Sequence, residues 1–174
     1  MALLNRRSLL LGATGVAGVV AIGAILRVPG LAFAQEGSPV PGTFEVTHTD
    51  EEWRKILGDD AFNIMRRQGT EYPGTSPLLN EHRAGTFICA GCDLPLFDAS
   101  TKFDSGTGWP SFWKALDNAV EISSDTSLGM SRDECHCRRC GGHLGHLFHD
   151  VPDQPENNRY CMDGLALKFV PKAA

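Results

Sequence analysis

The chain has no surplus of positive charge. Its 16 Lys and Arg face 21 Asp and Glu, a formal charge of −5 at pH 7. Residues 1–34 contain three arginines and no acid, so the remainder is more acidic still. That balance argues against nucleic acid and against an anionic membrane surface as partners. Internal repeats are also absent, and biased composition is confined to two N-terminal stretches.

The first of those stretches carries Arg6-Arg7, then a Gly/Ala/Val-rich apolar run to about Leu26, then Ala32-Phe33-Ala34. A paired arginine before a mildly apolar segment with a small-x-small site predicts a cleaved export signal of twin-arginine type over residues 1–34. The alternative is a retained membrane anchor, since residues 8–26 are nearly long enough to span a bilayer. Glycines dilute that hydrophobicity, which favours cleavage and a periplasmic or other extracytoplasmic location. Residues 35–46, rich in Gly and Pro, read as a linker, and the folded domain is expected over residues 47–170.

Six cysteines on an exported chain ordinarily suggest disulfides. Their spacing says otherwise. Cys89-Ala-Gly-Cys92 and Cys137-Arg-Arg-Cys140 are two tight turns, each presenting two sulfurs to one point. Together they have the ligand set of tetrahedral zinc. Iron fits the same sulfurs by ligand type, and one or two disulfides are the non-metal alternative. A twin-arginine route carries folded proteins, so such a site can be assembled in the reducing cytoplasm. Four cysteines close the shell, which makes the metal structural and leaves chemistry to other residues.

Cys161 is outside that set. It stands in Arg159-Tyr-Cys-Met-Asp163. On a strand, Arg159, Cys161 and Asp163 share one face, with Arg159 favouring a thiolate and an ionised Asp163 opposing it. A lone cysteine is more often inert and buried, but two charged neighbours argue against an apolar setting. His143 and His146, among Gly141, Gly142 and Gly145, are candidate proton donors or further metal ligands. Gly108-Trp109-Pro-Ser-Phe112-Trp113 is either a core plug or a wall for a thioether methyl.

Thr49-Asp-Glu-Glu52 predicts a capping box with Trp53, Ile56 and Leu57 following at helical spacing, and a second short helix over residues 60–67. From Ala84 onward short β-branched and aromatic runs break at glycines. Strands are expected at Thr86–Cys89, Ala119–Ile122, Met130–Cys137 and Tyr160–Val170. The fold class is mainly β: a small antiparallel two-sheet sandwich or open barrel with short N-terminal helices. The wide spacing of the two knuckles predicts a subdomain inserted between them.

Taken together, Gly69-Thr-Glu71, the first knuckle through Leu96-Phe97, Lys102-Phe-Asp-Ser-Gly106, Gly108-Trp-Pro-Ser-Phe112, the second knuckle with His143-Leu-Gly-His146-x-Phe148, and Arg159-Tyr-Cys161 resemble the B-type peptide methionine sulfoxide reductase family. The resemblance covers about residues 47–170. It implies a structural zinc on Cys89, Cys92, Cys137 and Cys140, and reduction of the R epimer of methionine sulfoxide in peptides and proteins. It assigns the nucleophile to Cys161, acid and orienting roles to His143, His146, Asp150 and Arg159, and substrate binding to Trp109, Phe148 and Asp163. The implied sulfenic acid is returned to thiol by a small thiol or thioredoxin-like reductant.

Three departures stand out. Thr107 occupies the slot where many family members carry a resolving cysteine, leaving Cys135 as a candidate substitute. Asp163 replaces the usual Asn, and Gly164 the usual Ser. These changes beside the nucleophile keep open an impaired, zinc-stapled protein-binding module, and a thiol-disulfide oxidoreductase using Cys135 and Cys161 is a third reading.

Overall fold

The computed structural model describes residues 44–173. The expected export signal and most of the expected linker lie outside them. Among the described residues, no helix is long and apolar enough to cross a membrane. Two antiparallel sheets and one N-terminal helical segment make the fold, as the strand-rich sequence predicts.

The helical segment α1 spans Asp50–Arg67. Its capping box forms: the Thr49 side chain accepts from Glu52 N, and the Glu52 carboxylate accepts from Thr49 N at 2.8 Å. Gly58, at φ 75° and ψ 168°, interrupts it, so the two expected helices meet in a single kinked element. Trp53, Phe62, Ile64 and Met65 are buried, whereas Ile56, on the expected apolar face, is exposed.

The smaller sheet has the order β2-β1-β9, with β1 Gly85–Cys89, β2 Pro95–Asp98 and β9 Leu167–Pro171. The larger runs β3-β4-β8-β7-β6-β5: β3 Lys102–Phe103, β4 Ser111–Phe112, β5 Val120–Asp125, β6 Arg132–Cys137, β7 His143–Phe148 and β8 Arg159–Met162. Aromatic rings join the two. Phe112 of β4 stacks on Phe97 of β2 at 4.3 Å and meets Phe87 of β1 edge-on at 4.9 Å. All three rings are fully buried, and each such burial contributes about 1.5–3 kcal/mol.

The structure corrects three expectations. The closing strand Tyr160–Val170 is two strands in different sheets, because a 3₁₀ turn over Gly164–Ala166 carries the chain from β8 to β9. Residues 93–136 are not an inserted subdomain, since β2 belongs to the small sheet and β3 to β6 to the large one. The end of the expected linker is packed: Phe44 lies against Gly141, and Val46 N donates to Arg139 O at 3.1 Å.

Candidate metal centre and active site

The four knuckle sulfurs converge. Cys89 Sγ is 3.7 Å from Cys140 Sγ, Cys92 Sγ is 3.5 Å from Cys137 Sγ, and all four lie within 4.8 Å of one another. Tetrahedral zinc with Zn–S bonds near 2.3 Å needs S···S separations of roughly 3.8 Å, so the cage fits the ion. Cys89 and Cys92 sit at the β1–β2 turn of the small sheet, Cys137 and Cys140 at the β6–β7 turn of the large one. A metal here ties the two sheets together, which is the work of a structural zinc.

The second knuckle leads directly into β7. Residues three apart on a regular strand face opposite ways. Here a bulge intervenes: Cys135 pairs with Gly145, but His136 pairs with His143, leaving Leu144 unopposed. His143 and His146 are thereby brought to ring centroids 5.4 Å apart. Gly145 has φ 142°, and a Cβ there would stand 2.2 Å from Cys161 O, so only glycine allows β7 to pass β8 this closely.

Register then assembles the site. Opposite residues share a face, so Ser111 of β4, Cys161 of β8, His146 of β7 and Glu134 of β6 form one row across the large sheet. Cys161 is half-buried, with Thr107 Oγ1 3.8 Å from its sulfur. Ser105 Oγ lies 2.8 Å from both Thr107 Oγ1 and Ser111 Oγ, completing a hydroxyl cluster beside the thiol. Burial raises the Cys161 pKa; Thr107, the charge of Arg159 and Ser111 act against it, and Asp163 adds to it. Arg159 and Cys161 share the face expected of them. The Arg159 guanidinium forks onto Asp150 at 2.9 and 2.6 Å and lies 4.3 Å over the Phe148 ring.

The chain following α1 crosses this face. Gln68 Nε2 donates to Glu134 at 3.1 and 3.2 Å, Glu71 N donates to Asp163 Oδ1 at 2.9 Å, and Gly74 N donates to Gly108 O at 2.7 Å. Trp109 Nε1 donates to Glu71 O at 3.1 Å. Trp109 walls one cavity of about 310 Å³, with Leu79, Phe103 and Pro110. His143 and His146 line another of about 200 Å³, with Gln68, Thr70 and Glu134. β8 runs between β4, which follows Trp109, and the histidine strand β7.

Asp163 lies just past the end of β8, almost wholly buried. Its Oδ2 is 3.7 Å from His143 Nε2, while His143 Nδ1 meets Glu134 Oε1 at 2.7 Å. Burial pushes Glu134 upward, but its contacts with His143 and Gln68 outweigh that and hold it below the ordinary carboxylate range. His146 Nε2 is held by Asp125 Oδ2 at 2.9 Å, and burial lowers its pKa. Glu134 is absent from any sequence-based assignment of this site. Its one signal was an acid inside an expected strand, shared with its neighbour Asp133; the fold buries Glu134 and leaves Asp133 half-exposed.

Cys135 does not join this group. It belongs to the alternate row with Gly145 and Met162, fully buried on the opposite face of the sheet from Cys161, and burial strongly raises its pKa.

Gly164 is explained by Ser76. A Cβ at Gly164 would stand 1.9 Å from Ser76 Oγ, which is buried in that space, and the Glu71 carboxylate accepts from Gly164 N. Gly164→Ser is therefore expected to cost about 1–3 kcal/mol by overpacking. Ser76→Gly in the same chain should recover most of the loss. Thermal melts of the single and double variants check this, and equal melting of the two variants counts against it.

A SelR domain model matches residues 57–171. The chain is 46% identical over 132 residues to the peptide methionine sulfoxide reductase MsrB of Leifsonia xyli subsp. xyli, covering 75% of this chain and 95% of that one. Against the MsrB of Pseudomonas putida it is 46% identical over 129 residues, 74% and 96% of the two chains. Against peptide methionine sulfoxide reductase B3 of Arabidopsis thaliana it is 42% identical over 135 residues, 77% and 74%.

Proposed function

The chain belongs to the SelR-domain family of B-type peptide methionine sulfoxide reductases, and from that premise we propose that Cys161 reduces methionine-R-sulfoxide in peptides and proteins. The observation that carries the residue assignment is the row Ser111–Cys161–His146–Glu134, which, with Thr107, sets one half-buried thiol between hydroxyls and an imidazole-bearing strand position. The thiolate attacks the sulfoxide sulfur while the oxygen takes a proton from the histidine side of the site. Methionine departs and Cys161 becomes a sulfenic acid. Arg159, fixed by its fork onto Asp150, supports the thiolate, and Trp109 receives the methyl group. A zinc held by Cys89, Cys92, Cys137 and Cys140 would fix the turn that leads into β7, a structural contribution.

Turnover of the two epimers of a methionine sulfoxide peptide, with dithiothreitol as reductant, tests this reading. Consumption of the R epimer alone is expected. A wild type that consumes neither favours the protein-binding module, and preference for the S epimer overturns the assignment.

Regeneration falls to an external thiol, of small-molecule or thioredoxin-like kind. What supports this is the hydroxyl of Thr107 where a resolving thiol could stand, together with the turned-away Cys135. Thr107→Cys puts a second sulfur within disulfide reach of Cys161. After one equivalent of sulfoxide without reductant, this variant is expected to lose two titratable thiols where the wild type loses one. An equal loss in both counts against it.

Export is part of the proposal and rests on Arg6-Arg7 and the Ala32-Phe33-Ala34 site, with envelope proteins as the oxidised substrates to be repaired. Intact mass of the chain recovered from the periplasm reads it directly: loss of residues 1–34 supports export with cleavage, full length indicates a retained anchor, and absence from that fraction removes the proposal.

A further inference from the structure

Phe44-Glu45-Val46 lies outside residues 57–171, the stretch that the SelR domain matches, yet it is fastened to the second knuckle. Val46 N donates to Arg139 O at 3.1 Å, inside the Cys137–Cys140 turn. The Glu45 carboxylate accepts from Arg138 Nη1 at 2.9 Å and stands 3.8 Å from Arg139 Nε. The Phe44 ring covers Gly141, where a Cβ would come within 2.3 Å of it, and meets the buried His136 ring edge-on at 6.2 Å. Gly141 is also at φ 66°, so both its backbone and the Phe44 ring call for glycine.

The two arginines pass the restraint on. Arg138 Nε donates to Asn118 O at 2.6 Å, and Arg139 Nη1 donates to Cys92 O at 3.2 Å, in the first knuckle. α1 covers a different part of the same turn: Arg66 Nη1 donates to Cys140 O at 2.9 Å, and the Met65 methyl lies over Gly142. Cys89, Cys137 and Cys140 are buried, so Cys92 is the one residue of the cage that solvent reaches. Arg139 stands beside it and is itself held by Val46 and Glu45.

We propose that Phe44–Val46 is a strap that locks the two knuckles together and sets the rate at which the cage gives up its metal. This rests on the zinc reading of the four cysteines, not on the reductase assignment. A thiolate cage loses its metal one ligand at a time, and a competing ligand enters where a sulfur can swing away. Cys92 is that place, and its carbonyl is tied to Arg139 for as long as the strap is docked. The ties are unequal. An exposed Glu–Arg pair is worth little, whereas the half-buried Phe44 ring adds apolar burial. A terminal segment opens locally far more often than the domain unfolds, so the strap controls release without controlling global stability. In the exported setting proposed above such a guard has a use. Outside the reducing cytoplasm emptied cysteines form disulfides, and a cage that has lost its metal is not rebuilt.

Zinc transfer from the purified chain to the chromogenic chelator 4-(2-pyridylazo)resorcinol reads the rate, with metal content measured beforehand. Phe44→Ala is expected to release zinc about tenfold faster than wild type, and Glu45→Ala about two- to threefold faster. Salt at about 1 M should erase the Glu45 difference, because it screens an exposed pair, and should leave the Phe44 difference in place. Release by local opening is nearly independent of urea below the unfolding transition. Equal rates in wild type and Phe44→Ala overturn the strap. So does a faster release that rises with urea in step with global unfolding.

If Phe44→Ala does not fold, the zinc-loaded wild type still decides. Its Val46 amide, bonded to Arg139 O, should be protected from deuterium exchange. Exchange of that amide at the rate of an unstructured chain, with zinc retained, overturns the strap. A purified chain without metal brings down the zinc reading and the strap together, whereas zinc released at equal rates brings down the strap alone.

Discussion

Cys161→Ser is expected to abolish sulfoxide reduction, a loss of at least about 10⁴-fold in kcat, the scale on which removing a nucleophile costs an enzyme its catalysis. The reason is chemical before it is geometric. The oxygen lost by the sulfoxide must be accepted by an atom able to give up two electrons, and a serine hydroxyl has no counterpart to a sulfenic acid. The change is nearly isosteric in a half-buried site flanked by Ser111 and Thr107, so the fold should survive it. Peptide turnover with dithiothreitol, beside a melt showing an intact domain, gives the result. Retained turnover would move the chemistry to another thiol. Cys135 is the other cysteine outside the metal cage, but it is buried on the far face and strongly resists ionisation. Cys135→Ser should therefore leave turnover with dithiothreitol in place.

Removing the metal, or one of its ligands by Cys137→Ala, is expected to unfold the domain at ordinary temperature. Structural zinc on such sites is worth about 10–16 kcal/mol in small peptides at pH 7, comparable to or larger than the 5–15 kcal/mol that keeps a typical domain folded. The cage also joins the β1–β2 turn of one sheet to the β6–β7 turn of the other. Without it four sulfurs crowd within 4.8 Å at the base of β7, and the bulge that gathers His143 and His146 loses its anchor. Far-UV circular dichroism with increasing chelator, against released zinc from a chromogenic indicator, checks this. Full metal loss with an unchanged melting temperature would mean that the aromatic core alone holds the sheets.

Much of this was written locally in the chain. The capping box at Thr49 is a four-residue pattern, and two Cys-x-x-Cys turns specify a closed thiolate shell whatever fold surrounds them. Leaving Cys161 outside that shell was equally a matter of counting. Arg159 and Cys161 share a face because strand side chains alternate with period two. The break after Asp163 was not legible, because the residues following it continue an apolar pattern that suits a strand; only their pairing partners, β7 on one side and β1 on the other, divide them.

What the tertiary structure alone decided is which polar groups meet. The row from Ser111 to Glu134 is set by cross-strand register, and one residue of slip would send any member to the opposite face. The bulge at Leu144 is such a slip, and it converts two histidines of opposite facing into neighbours. Cys135, adjacent in sequence to Glu134, falls on the other face by simple alternation along β6, and the register fixes which of the two faces holds Cys161. Ser76 fills the space of a side chain at position 164 from far along the chain, and Glu71 reaches Asp163 across the sheet. The sequence determined the chemistry carried, ligand by ligand, because coordination and nucleophilicity belong to residue types at short spacing. The proton inventory around Cys161 depends on burial and on contacts between distant segments, and only the folded chain brings those about.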